Sequence, residues 1–151
     1  MPANKYIICL PTYGSPYLWR ETPIAERNLL EELQKCVQGY IEGFNMKSVL
    51  IHPMMESIQW KTAQRLIGKR GVKMYVNEEG RRDCVPNMAV INVRRPYASN
   101  EPIFGEVALV MTENAITRLV PNFLEVFRKV DDSEDDSEDE SESEEESEET
   151  N

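Results

Sequence analysis

Carboxylates placed in pairs can move protons, and this chain offers Glu42 together with Glu78 and Glu79 of the stretch NEEG. Two such acids at one site would serve general acid–base work. In an exposed strand or turn the same residues are simply solvated charges. His52 is the sole histidine, so no Ser-His-Asp, Cys-His or two-histidine metal arrangement can be assembled. Standing before Pro53 at a strand end, it reads as a solvated or satisfied imidazole. Cys9, Cys36 and Cys84 are odd in number and form no Cys-x-x-Cys pair. Among apolar neighbours, Cys9 and Cys36 read as buried reduced thiols. GKRG, Gly68 to Gly71, lacks the preceding strand and the Ser or Thr of a phosphate loop. These residue types call for no metal and no cofactor.

The basic residues suggest a different chemistry. Lys69, Arg70 and Lys73, then Arg81 and Arg82, then Arg94 and Arg95 gather near turns, with Tyr75 and Tyr97 close by. Lined up on one surface they would neutralise the phosphates of a nucleic acid. Dispersed, they form a solvated rim.

Charge divides the chain in two. All 17 Lys and Arg precede Asp131, and residues 131–151 hold 14 acids, five Ser, one Thr and one Asn. That leaves 13 acids against 17 bases in residues 1–130, a body of +4 carrying a tail of −14. The tail has no apolar side chain with which to offset the entropy of ordering, so it is expected to be disordered beyond a single domain at 1–130. Ser133, Ser137, Ser141 and Ser143 each have an acid three residues later, which suits acidophilic casein-kinase-type enzymes. Each phosphate would add about −1.5 to −2 charges. Such a polyanion can engage a basic, histone-like protein, mask the chain's own basic surface, or serve only solubility.

The elements that position these groups follow from periodicity. KYIICL, Lys5 to Leu10, predicts a strand ended by Pro11 and Gly14. The loop to Pro23 contains Tyr13, Tyr17 and Trp19, expected to fold back onto the body. A helix is predicted from about Pro23, with Thr22 as N-cap, its stripe running through Leu29, Leu30, Leu33, Cys36 and Val37. Periodicity alone allows it to continue through Tyr40, Ile41 and Phe44, whereas Gly39 favours a stop. Further strands are predicted at Ser48–His52, Val72–Val76, Met88–Val93 and Gly105–Met111. Glu56–Lys69 predicts a helix with Ile58, Ala63, Leu66 and Ile67 on one face, and Pro121 starts a short final helix. NEEG predicts a tight hairpin turn in which Asn77 and Gly80 supply positive φ.

Taken in order, LEELQKCVQGYIE, YVNEEG, Pro86-Asn87 and GEVALV resemble a small uncharacterised domain of phage and large DNA virus proteins. That family shows L-x-x-L-[VI]-G-G-Y-I-E running into a strand, then N-E-E-G, P-x-N and G-D-[VI]. Gly39, Tyr40, Ile41 and Glu42 stand on G-Y-I-E, and Asn77, Glu78, Glu79 and Gly80 on N-E-E-G. Pro86 and Asn87 stand on the proline element, and Gly105 with Glu106 on G-D. Gln38 replaces one glycine, the segment from Gly43 to Val72 is longer than the family's, and the tail is extra. The resemblance implies a helix to about Gln38, a turn at Gly39 and a strand from Tyr40 to Phe44. It brings no established chemistry.

The expected fold is α+β, a mixed or antiparallel sheet of four to six strands packed by two or three helices. The expected function is that of a small viral accessory protein, not an enzyme, that engages a basic protein or a nucleic acid. The alternative is an enzyme or small-ligand binder using Glu42 and the Asn77–Gly80 turn. The apolar run in MPANKYIICLPTYG is too short for a signal peptide, and no stretch approaches the ~20 apolar residues of a membrane span. Expected localisation is therefore intracellular, in the cytoplasm or nucleus of a host cell.

Overall fold

A computed structural model of the chain describes residues 4–93 and 100–129. Arg94, Arg95, Tyr97 and the acidic tail, with Ser133, Ser137, Ser141 and Ser143, lie outside the described residues. Strand alternation builds the architecture. In β1 (Lys5–Leu10), Tyr6, Ile8 and Leu10 enter one core while Ile7 and Cys9 enter another. β8 (Val107–Thr112) lies antiparallel beside it and repeats the division, Val107, Leu109 and Met111 against Ala108 and Val110. A strand buried on both faces needs an apolar residue at nearly every position, which is what YIICL and VALVM supply.

The five-stranded sheet runs β2 (Tyr17–Leu18), β1, β8, β5 (Lys73–Asn77), β3 (Ile41–Phe44), antiparallel throughout. The helix α1 (Glu26–Val37) covers one face with Leu33, Cys36 and Val37. A second antiparallel sheet, β4 (Val49–Ile51), β6 (Pro86–Val93), β7 (Asn100–Phe104), closes over the other. The helices α2 (Ile58–Leu66), α4 (Glu113–Leu119) and α5 (Phe123–Val126) complete that larger core with Trp60, Leu66, Ile116 and Phe123. The fold is α+β, as expected, but its strands divide into two sheets.

Several expectations shift. The main-chain groups of Ile24 bond to those of Lys5 at 2.7 and 2.9 Å, which holds Ile24 in an antiparallel bridge to β1. The helix therefore begins at Glu26 behind Ala25, and neither Thr22 nor Pro23 caps it. Leu30 is 57% exposed, off the buried stripe. The helix does stop where the resemblance implied: Gln38 adopts φ 63 and the strand follows at Ile41. Ile58 is 58% exposed, and Trp60 takes the core position instead. Tyr17 and Trp19 pack on the α1 side, whereas Tyr13 stands in solvent. β7 and α4 carry no periodic signal strong enough to predict them.

NEEG is not a hairpin. β5 pairs with β3 and β8, and the chain leaves it through α3 (Gly80–Asp83) for β6 in the other sheet. Gly80 is not among the positive-φ glycines; its need is steric, since a Cβ there would lie 2.6 Å from the carbonyl oxygen of Phe104.

Candidate functional site

The residues picked out by motif gather at one end of the five-stranded sheet. Asn77 is buried, and its Nδ2 donates to the carbonyls of Val37 at 3.0 Å and Gln38 at 3.3 Å. Its Oδ1 accepts the Glu79 N–H at 2.7 Å. One side chain thus satisfies the carbonyls orphaned at the end of α1 and fixes the start of the NEEG segment. Asn87 does the same between the sheets. Its Nδ2 donates to Leu10 and Gly105 carbonyls at 3.0 and 3.2 Å, and its Oδ1 accepts from the Ala89 and Val90 amides. Gly105 turns at φ 94 against Cys84, with the Cys84 sulfur 3.0 Å from where a Cβ would be. Gly39, Asn77, Gly80, Asn87 and Gly105 are therefore structural joints. Pro86 opens β6 opposite Phe104.

Beside these joints the two sheets part at the β3 edge and leave a cavity of about 210 Å³. Strand register explains how Glu42 comes to it. Glu42 faces Val76 across the ladder, and Val76 points between the sheets, so Glu42 projects the same way. Glu78 continues that ladder by donating its N–H to the Tyr40 carbonyl at 2.8 Å. Glu42 and Glu78 line the cavity with Arg81, Asn92, Phe44 and Phe104. The Arg81 guanidinium stands 5.4 Å from the centroid of Phe104. Glu79 does not line the cavity; it pairs with Arg82 at 3.7 Å. Sequence reasoning reached Glu42 and Glu78, but Phe44, Asn92 and Phe104 join them only through contact between sheets, which no local pattern encodes.

Among the described basic residues, Lys73 and Arg81 do not share a face. Lys69 and Arg70 precede β5, and Arg81 and Arg82 follow it in α3. Lys73 faces the α1 side opposite Val110, while Arg81 faces the intersheet cavity. Arg82 is bound to Asp83 at 2.9 Å, and that hydrogen bond holds the Asp83 carboxyl below the usual carboxylate range.

Elsewhere the reactive residue types are quiet. His52 accepts the Met54 N–H on Nδ1 at 3.1 Å. Cys9 and Cys36 meet under α1, buried; the contact with Cys9, then burial, pushes the Cys36 thiol far up. A thiol held neutral is a poor nucleophile. Burial likewise raises Cys84, with Asp83 and Glu106 adding to it. Among the described residues no group of three or more His, Cys, Asp or Glu is placed to hold a metal ion, and no helix is long and apolar enough to cross a membrane.

Comparison with protein-family models, with curated proteins and with solved structures finds no match to this chain. What the cleft can bind is read from its own chemistry.

Proposed function

We propose that this protein is a non-catalytic interaction module that takes a cationic side chain, lysine or arginine, of a basic protein partner into the cleft between its sheets. The acidic tail supplies the long-range attraction. The observation that carries this reading is the convergence of Glu42 and Glu78 on one cavity, with no ion pair engaging either among the described residues. Among the described residues, the two carboxylates against the guanidinium of Arg81 leave the lining at −1. An ammonium or guanidinium entering there would meet charge-assisted acceptors, with the rings of Phe44 and Phe104 beside it. The chain's own Arg81 guanidinium stands 5.4 Å from the Phe104 ring centroid, a contact of the kind an entering cation would make.

The scale of the cavity agrees. At about 210 Å³ it is below the ~300–1,000 Å³ typical of small-molecule pockets, and it suits the end of one side chain. Asn77 and Gly80 are committed to hydrogen bonding and close packing, which leaves the carboxylates among the polar groups of the cleft that face a ligand. The tail, −14 over residues 131–151, raises the local concentration of any polycation by covalent attachment to the cleft-bearing body. Phosphorylation of Ser133, Ser137, Ser141 and Ser143 would strengthen that attraction. The test is calorimetric titration with an arginine-rich peptide, comparing the native chain with Glu42→Gln/Glu78→Gln.

A further inference from the structure

We propose that the groove between the Tyr13 loop and the end of α5 binds single-stranded nucleic acid, with a base stacked on Tyr13 and a phosphate on Arg128 and Lys129. This groove has a volume of about 770 Å³, room for a nucleotide on the ~300–1,000 Å³ scale of ligand sites. It is independent of the cleft. β2 forms one edge of the five-stranded sheet and β3 the other, four strand spacings or roughly 19 Å away at ~4.8 Å each.

The lining has one sign of charge. Ser15, Gln59, Arg128 and Lys129 share it with Tyr13 and Tyr17, and among the described residues no acid lines it. Glu21 touches Arg128 at 3.7 Å from outside, an exposed pair that contributes little in water and yields to a phosphate. The cations are placed by backbone structure: the Leu18 N–H donates to the Phe127 carbonyl at 2.7 Å, locking the end of α5 to β2. Lys129 is thereby held 4.6 Å from the Tyr17 ring centroid. Tyr13 is 94% exposed, the most exposed large hydrophobic side chain described. Gly14 beside it turns at φ 93 with open space around it. A free aromatic face next to two cations is the combination that single strands use, stacking a base while the backbone is neutralised. The acidic tail begins at Asp131, two residues beyond Lys129, and competes for those cations.

The test is fluorescence anisotropy of a labelled oligothymidylate of about 12 nucleotides at low salt. Both the full chain and a chain ending at Val130 are titrated; every core residue lies between Tyr6 and Phe127, so the shorter chain keeps the whole core. The full chain should bind weakly and the shorter chain several-fold tighter, both weakening as salt rises. Tyr13→Ala and Arg128→Gln/Lys129→Gln should each lose roughly tenfold or more in the shorter chain, the scale of one lost base stack or of lost phosphate contacts. Tyr40→Ala, which removes another exposed tyrosine at the opposite edge, should change nothing. Thymidine monophosphate bound as tightly, and lost in the same variants, would assign the base-and-phosphate site to a free nucleotide. No binding by either chain, or binding indifferent to Tyr13→Ala, or equal loss with Tyr40→Ala, would overturn the proposal.

Discussion

Asn77 and Gly39 are fitted to one another: a Cβ built on Gly39 would lie 2.5 Å from Nδ2 of Asn77, the atom that donates to the Val37 carbonyl. Gly39 is needed for space and not for its backbone angle, since the left-handed residue here is Gln38. Gly39→Ala should therefore destabilise the protein by about 1–3 kcal/mol, the range for forced overpacking. Asn77→Ala should cost about 1–3 kcal/mol by leaving buried groups unpaired. Because the two residues collide, the double variant should lose less than the sum of the two singles. Strict additivity in denaturant unfolding would show that the amide does not hold this position.

Gly80→Ala presses a methyl group on the Phe104 carbonyl, which is main chain in the neighbouring sheet. A loss of about 1–3 kcal/mol is expected. Melting temperature reports it, and an unchanged value would mean that the two sheets separate readily at this joint.

α1 offers a comparison of three positions. Leu33 is buried under the helix, and Leu33→Ala should cost ~2–5 kcal/mol. Glu32 looks solvent-facing by period, yet its side chain is only 18% exposed, accepting from Trp19 Nε1 at 2.8 Å and pairing with Arg20 at 3.2 Å. Glu32→Ala should cost about 1 kcal/mol, the scale of one hydrogen bond to a charged group in partial solvent. Glu31→Ala, outside the core, should stay under ~0.5 kcal/mol. Urea unfolding of the three variants gives the ranking directly.

Alkaline pH should weaken the fold. Cys36 has its pKa raised from the ordinary 9.0 by Cys9 and by burial, and Tyr17 is raised from 10.0 by burial first and then by Cys9. Groups raised in the folded state stabilise fully below their unfolded pKa and lose that contribution as pH rises past it. Stability should therefore hold to about pH 9 and then fall, by up to ~1.4 kcal/mol per pH unit for each group ionised only when unfolded. Cys36→Ala should flatten the fall between pH 9 and 10, where Cys36 alone of the two is ionising in the unfolded chain. An identical slope with and without Cys36 would remove it as the cause.

Much of the layering is legible in the sequence because burial on both faces leaves a plain mark. KYIICL and GEVALVM announce strands, and Leu33, Cys36 and Val37 announce the inner face of α1. The end of that helix could not be read from period alone, since Tyr40, Ile41 and Phe44 keep the helical spacing. Of the second sheet, β4 and β6 stand where Ser48–His52 and Met88–Val93 predict strands, but their separation from the first sheet was not legible, and β7, with Pro102 and two polar residues, does not alternate clearly. The site divides likewise. Glu42 and Glu78 stand out as acids near a turn, but their meeting depends on β3 pairing with β5 and on β7 crossing behind them. Tyr13 lies far in sequence from Arg128 and Lys129 and shares a groove with them where the Leu18 N–H bonds the Phe127 carbonyl.

The cleft is tested most directly by titrating the chain ending at Val130 with an arginine-rich peptide, since that removes the tail's own attraction and leaves the carboxylates to act. Native Glu42 and Glu78 should give saturable binding, and Glu42→Gln/Glu78→Gln should weaken it at least tenfold with the melting temperature unchanged, ~1.4 kcal/mol in binding free energy. Restoring the tail should tighten both forms by a similar factor. Peptide binding that is equally strong with both carboxylates neutralised would contradict the account and place recognition outside the cleft.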